Sequence, residues 1–286
     1  PPPSPRWRVA FNTGVGGAAR GVRLVGWGVH PRALGLRTAM CGLNRVLSHL
    51  MFLGHLSAEF LRLREPLQAV MEQATGGRIH FVATRIGGLL ADVPPGWEAA
   101  VVDAVAAVRA GLPSVDLSGL VGLGVLSASD ALSYGVSGPV ARGSGVDVDL
   151  RRDDPYLAYP SLEVPVVLRE AGDAAARFSC LLDQVRVSLD LVLACLSALP
   201  DGPVSVKLPK NLRAPEGSTY AWTENPSGIA GYFLVSRCAV TPWRLAMRTA
   251  SFNNVSALPS LLPGTRVQDL PAVLASFFFV VGDIDR

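Results

Sequence analysis

Tyr134-Gly-Val-Ser-Gly-Pro-Val-Ala-Arg-Gly-Ser-Gly145, followed at once by Asp147, Asp149, Leu150, Arg151 and Arg152, is the stretch on which the fold turns. Glycines at 135, 138, 143 and 145 let the backbone turn tightly and approach another surface closely. Pro139 stiffens the middle of that path. Arg142, Arg151 and Arg152 add donors that grip carboxylates or backbone carbonyls. Ordering such a segment costs backbone entropy, so it implies a close and specific partner. Taken alone, the same residues also describe an ordinary glycine-rich loop.

Beyond the loop, the composition is apolar. Of 286 residues, 49 % are hydrophobic and 17 % charged. A chain of this length buries a substantial core. No apolar run reaches the about 20 residues needed to span a bilayer. The longest candidate, 270–281, is short and contains Pro271. The excess apolarity implies either a large core or surface buried against other chains. The net charge of +3 is too small to imply a nucleic-acid partner. Lys207 and Lys210 are the only lysines; arginine, which suits buried bidentate contacts, dominates. Cys41, Cys180, Cys195 and Cys238 form no Cys-x-x-Cys pair, so no zinc or iron–sulfur ligand set is expected here. They are expected to be reduced and mostly packed as small apolar groups.

The periodicity predicts helix from 34 to about 71, with Leu43, Val46, Leu47 and Leu50 on one face. Pro66 marks a kink or the start of a second helix, and Gly76-Gly77 its end. A further helix is expected over 97–110. Ser127 is a candidate N-cap with Asp130 at capping-box distance. Residues 163–168 are a short strand candidate. A long helix is expected over about 174–199, with Phe178, Leu181, Val185, Leu189, Val192 and Leu196 inward. Residues 200–215 read as loop. Gly231-Tyr-Phe-Leu-Val-Ser236 and Trp243-Arg-Leu-Ala-Met-Arg248 read as a hairpin, and 268–281 as a final helix or strand in the core. Pro1 to Pro5 should be extended.

Several stretches in order resemble one family. The glycine loop resembles a signature of the quinone-side catalytic subunit of respiratory complex I, a family related to the large subunits of nickel–iron hydrogenases. Gly124-Val-Leu-Ser-Ala-Ser-Asp-Ala-Leu-Ser-Tyr134 resembles the helix entry before it, and Asn44-Arg-Val-Leu-Ser-His-Leu50 the family's long early helix. Gly76-Gly-Arg-Ile-His80 and Arg85-Ile-Gly-Gly88 resemble its cluster-facing turn. Pro215-Glu-Gly217, Gly231-Tyr-Phe-Leu-Val-Ser236 and Gly282-Asp-Ile-Asp-Arg286 match its C-terminal part. The resemblance implies a mainly α fold with a C-terminal β element, on a helical-bundle core of the nickel–iron hydrogenase large-subunit type. One domain is expected, with a helical core over about 32–199 and an α+β segment over about 200–286.

The resemblance also implies a site. The histidine of the family's Gly-x-Arg-x-His motif faces the terminal iron–sulfur cluster of a neighbouring subunit; His80 matches it, with Arg78 before and Arg85 after. A histidine there tunes the cluster and couples its reduction to protonation. Read without the family, His80 is a lone structural histidine in a turn. Arg85, Gly87 and Gly88 resemble the family's Arg-Pro-Gly-Gly turn, with Ile86 in place of the proline. Arg78, Gly87, Gly88, Arg142, Gly143 and Gly145 are expected to make partner or loop contacts. His49 and His55 are assigned to packing or polar contacts, and Gly42 stands where the family carries an acidic residue.

Three departures qualify this picture. Quinone reduction in the family involves a histidine on an N-terminal β hairpin, a tyrosine shortly after it and an aspartate on the early helix. The hairpin region is not found in the sequence, and the tyrosine position falls near Trp7. The early helix leads directly to Leu56-Ser-Ala-Glu-Phe60, so the aspartate is missing; Glu59 is the nearest carboxylate and a speculative catalytic substitute. Either a separate polypeptide supplies the missing β domain, or the chain is a diverged paralogue that scaffolds an assembly.

The sequence therefore leads to a non-autonomous subunit of NADH:quinone oxidoreductase, lining part of the ubiquinone pocket in a proton-pumping complex. It is expected to bind no cofactor itself, to sit beside a partner's 4Fe–4S cluster, and to contact the iron–sulfur subunit and other hydrophilic-arm subunits. No nucleotide site is expected, since no Gly-x-Gly-x-x-Gly follows a strand. Membrane contact is expected to be peripheral, at the mitochondrial inner membrane on the matrix side, or at the bacterial inner membrane on the cytoplasmic face. The start without Met is compatible with a removed targeting segment. A non-catalytic structural subunit, of this or a related membrane-bound complex, is the alternative.

Overall fold

The structure is a computed structural model that describes residues 28–209 and 213–285. Trp7, the proline run at the start, Lys210 and the terminal Arg286 lie outside the described residues.

Helix α1, Pro31–Leu53, is the central element. Pro31 fits its first turn, where no backbone donor is needed, and Nδ1 of His30 accepts from the Arg32 amide at 3.2 Å. Nearly every residue from 35 to 50 is buried, so α1 has no solvent face; it packs along α7, Ala174–Ser197. Gly42 explains itself at that seam: a Cβ there would lie 2.5 Å from Cγ2 of Val192. The helices approach where the family's acidic side chain would stand.

A turn and a single helical turn, Glu59–Arg62, lead to α2, Arg64–Thr75. Pro66 thus starts a second helix rather than kinking the first, and Gly76 closes it with φ +73°. The hairpin of β1, Thr84–Arg85, and β2, Gly88–Leu89, follows. Helix α3, Trp97–Gly111, is anchored by Trp97, 1 % exposed, whose Nε1–H donates to Val70 O at 2.7 Å.

Three short helices carry the glycine loop: α4, Ala128–Ser133; α5, Gly138–Arg142; and α6, Leu150–Asp153. Ser127 does cap α4, accepting from the Asp130 amide at 3.0 Å. The Asp130 carboxylate takes the Ser127 hydroxyl at 2.7 Å rather than reaching back to the cap's amide, as a longer glutamate does in a capping box. Asp173 caps α7 through the Ala176 amide at 2.8 Å, and all six side chains expected to face inward are buried.

The β element is an antiparallel meander of β3, Gly217–Asn225, β4, Gly228–Ser236, and β5, Arg244–Arg248. Tyr220 pairs with Phe233, and Phe233 with Ala246. Helix α8, Ala250–Ser256, and α9, Leu270–Ser276, complete the chain with two single turns, Leu258–Leu261 and Val281–Ile284.

The main core joins α1, α2, α3 and α7, and Phe278 closes it by edge contacts with Phe52 (4.4 Å) and His49 (5.2 Å). A second core packs Leu126, Val136, Val140 and Val146 of the glycine-loop region against Leu258, Leu261, Val273 and Phe277. The strand expected at 163–168 does not form: the segment has no ladder partner among the described residues, and Val164 packs on Tyr159 and Leu191 instead. A mainly α chain with a C-terminal antiparallel sheet is the outcome.

Candidate functional site

The partner of the glycine loop is the same chain. Ser137 donates its amide to Asn254 Oδ1 at 3.0 Å, and its hydroxyl accepts from the Ile229 amide at 3.0 Å. Asn254 Nδ2 donates to Ser227 O at 3.1 Å. Arg248 spans both walls, reaching Gly135 O at 2.9 Å and Ile229 O at 2.8 Å. Gly138, with φ +69°, sits on the β3–β4 turn so closely that a Cβ would lie 2.6 Å from Gly228 Cα. The loop therefore clasps the sheet through residues 225–229, and its entropy cost is offset inside the fold.

Under the clasp lies a buried ionic cluster. Arg142, Asp149, Glu224 and Arg45 are all 0 % exposed, and Arg151 is 2 % exposed. Arg142 Nη1 donates to Glu224 Oε1 (2.9 Å) and Val148 O (3.0 Å) and lies 3.4 Å from Asp149 Oδ2. With its amide oriented to satisfy both groups, Gln184 accepts from Arg142 Nη2 (2.7 Å) and Nε (2.8 Å). Arg151 forks onto Asp149 at 2.9 and 2.7 Å. Arg45 donates to Asn225 O at 3.1 Å and to Glu224 O. Tyr156 bridges both backbone groups of Glu224, at 3.3 and 3.1 Å. Burial opposes ionisation of Asp149, but the two arginines outweigh it and hold its carboxyl well below the usual range.

His49, also 0 % exposed, faces Pro226 O through Nε2 at 3.2 Å. A carbonyl only accepts, so Nε2 carries the hydrogen; Nδ1 is buried without a partner among the described residues. Burial, reinforced by Arg45, drives its pKa well below the ordinary histidine value. The cluster joins α1, the glycine loop and the β3–β4 turn, and the contacts of Arg142 are made within this chain. Arg142 and Gly143 are buried, and Gly145 is exposed.

The His80 turn is built the opposite way. His80 and Arg85 are exposed, and the His80 imidazole makes no hydrogen bond among the described residues. Around it Ile79 (57 %), Val82 (50 %) and Leu90 (63 %) expose apolar side chains. Arg85 folds back onto Val82 O (3.2 Å) and Thr84 O (2.9 Å). Arg78 is taken by Glu65 (2.5 Å) and Glu72 (2.7 Å) on α2. Gly87 and Gly88 are buried, pinned by the strand-like segment 204–206: Leu89 N donates to Val204 O at 2.8 Å and Val206 N to Gly87 O at 3.1 Å. Beneath them Arg37 of α1 donates to Arg85 O and Gly88 O. A shallow open depression beside the turn is lined by Asn44, Ser48, Met51, Arg64, Arg78 and Ile79, among others.

Sequence reasoning singled out neither Arg37 nor Glu224. A charged residue inside an apolar helical run was the available signal for Arg37 and Arg45. Glu224 carried none, because the arginine its carboxylate meets, Arg142, is 82 positions away along the chain. Glu59 is exposed at the start of its short helix, with no ion pair among the described residues. Cys41, Cys180 and Cys195 are buried and free, and Cys238 is exposed. Burial pushes the thiols of Cys41, Cys180 and Cys195 up to about 12, 11 and 11, so they are inert as thiolate ligands. Among the described residues no group of three or more His, Cys, Asp or Glu is arranged to hold a metal, and no helix is long and apolar enough to cross a membrane.

Comparison with known proteins points one way. The family model described as respiratory-chain NADH dehydrogenase, 49 Kd subunit, matches residues 53–212 and 206–286. A D-type subunit of NADH-quinone oxidoreductase from Salinispora arenicola is 54 % identical over 300 residues, covering 98 % of this chain and 78 % of the relative. The D-type subunit of the same enzyme from Streptomyces coelicolor is 51 % identical over 303 residues, covering 98 % and 79 %. That of Methylacidiphilum infernorum is 34 % identical over 310 residues, covering 92 % and 73 %. With matches spanning most of both chains, this protein belongs to the family of the 49 Kd subunit of respiratory-chain NADH dehydrogenase.

Proposed function

We propose that the chain is a non-autonomous subunit of a respiratory NADH:quinone oxidoreductase. In this reading it forms part of the quinone-reduction pocket and packs its His80 turn against a partner subunit that holds a 4Fe–4S cluster. The observation that carries the reading is the turn itself. An imidazole that is exposed and without a hydrogen-bond partner among the described residues, with Ile79, Val82 and Leu90 also exposed on the same segment and hairpin, fits a surface covered by another subunit. The described residues offer no metal-ligand set of their own, and the exposed imidazole fits a role beside a centre held elsewhere. The family's helical-bundle core of hydrogenase type agrees with the packing of α1, α2, α3 and α7. The relatives named above are bacterial, so we place the assembly at the bacterial inner membrane on its cytoplasmic face; the expectation of a mitochondrial inner membrane has no support among them.

In the assembled complex, His80→Met is expected to lower the potential of the terminal cluster and flatten its pH dependence. An unchanged redox titration removes His80 from the site. A second reading, a structural subunit without turnover, is favoured by the short connection from α1 to Glu59. Quinone reduction by the unmodified complex separates the two, since turnover removes the structural reading. Loss of that turnover on Glu59→Gln with an intact cluster titration then favours catalysis at Glu59; retention removes Glu59 from the site.

A further inference from the structure

We propose that Arg37 is a positioning residue for the His80 surface: from inside α1 it holds the Arg85–Gly88 turn at both ends and sets a positive charge beneath it. The inference rests on the reading that this turn meets a partner's redox centre. Arg37 is 1 % exposed, and a single nitrogen, Nη2, donates to Arg85 O at the end of β1 and to Gly88 O at the start of β2. The second clamp is the backbone segment 204–206. The turn is thereby fixed from below while its outer face stays bare.

The charge is what a mere staple does not need. A neutral donor satisfies two carbonyls, and a buried cation without an acid is costly. Further along the same helix, Arg45 lies in a cluster with Glu224 and Asp149 nearby. Arg37 has no carboxylate partner among the described residues, and its Nε is buried unpaired. Burial lowers its pKa to about 10, which still leaves it cationic at neutral pH. A fixed cation in a poorly screened interior acts over a longer range than one in water. Next to a centre that gains negative charge on reduction, it favours the reduced form.

The experiment introduces Arg37→Met and Arg37→Lys into the assembled complex, beside His80→Met. It reads the midpoint potential of the terminal iron–sulfur centre and hydrogen exchange at amides 84–90. Arg37→Met is expected to lower the potential and speed exchange across the turn; Arg37→Lys, which keeps the charge, is expected to hold the potential near wild type. If Arg37→Met leaves the potential unchanged while His80→Met shifts it, the proposal for Arg37 falls and the reading of the turn stands. If all variants are silent, both fall. Equal lowering by Met and Lys also overturns it, since charge is then not the cause. Should the Met variant not assemble, a lowered potential in the Lys variant decides against the proposal and a preserved one for it.

Discussion

The glycine loop and the His80 turn are written in the same letters, arginine and glycine, yet they do opposite work. In the loop, Arg142 and Gly143 are buried, and the guanidinium spends its donors on Glu224, Val148 and Gln184. At the turn, His80 and Arg85 stand in solvent with Ile79, Val82 and Leu90 bare around them. The first region is architecture: it ties three chain segments into one buried network. The second is an exposed, partly apolar surface, the one proposed above as a subunit contact. An arginine–glycine motif is thus not a partner site by composition; burial of the arginine decides which it is.

Four outcomes put that contrast at risk. Glu224→Gln is expected to have the largest effect. Removing one member of a buried ionic network leaves arginines uncompensated and costs about 3–5 kcal/mol, read as a lower urea midpoint and lost amide protection over 138–152. His80→Met should leave that midpoint unchanged; equal losses would erase the distinction between the regions. Next is Gly138→Ala. It combines a left-handed φ of +69° with a Cβ 2.6 Å from Gly228 Cα. The left-handed conformation costs about 1–2 kcal/mol and the overlap about 1–3 kcal/mol more. Gly145→Ala, with φ +82° and its nearest neighbour at 3.8 Å, should cost only the first part.

Acid should attack the buried region in two steps. His49 has its folded pKa below the unfolded one, so its stabilisation is complete above about 6.5 and lost as pH falls below it, because the unfolded chain binds the proton first. Asp149, also depressed, contributes in full above about 3.9 and loses that contribution on further acidification toward its folded value. His49→Gln should abolish the first step of a midpoint-versus-pH curve and spare the second. The smallest effect is expected at Arg78. Its pairs with Glu65 and Glu72 are solvent-exposed, and such pairs contribute little. Arg78→Ala should leave the unfolding midpoint unmoved; a clear drop would make the turn part of the architecture.

Much of the fold was legible in order along the chain. The apolar spacing of α7, the Gly76 stop, the Ser127 cap and the β4–β5 pairing are local signals, set by side-chain period and backbone preference within a few residues. Residues 163–168 misled because a strand needs a neighbour as well as β-branched side chains, and no strand among the described residues pairs with them. Strand β3 was not singled out, for its pairing with β4 is recognised only once the turn at 226–227 is in place. Of the proposed site, His80 and its flanking arginines were singled out by resemblance alone, and their exposure became visible only in the fold.

Local rules written in the residues are thus enough for the helices, their ends, the hairpin and the family, because those follow from period, capping and matched motifs. Which charges are buried was settled at a higher level, by packing between distant segments. The Glu224 carboxylate meets Arg142 across 82 positions of chain, and Arg37 meets Gly88 across 51. No local pattern encodes such meetings; they exist only once helices and sheet have packed and the water between them has gone.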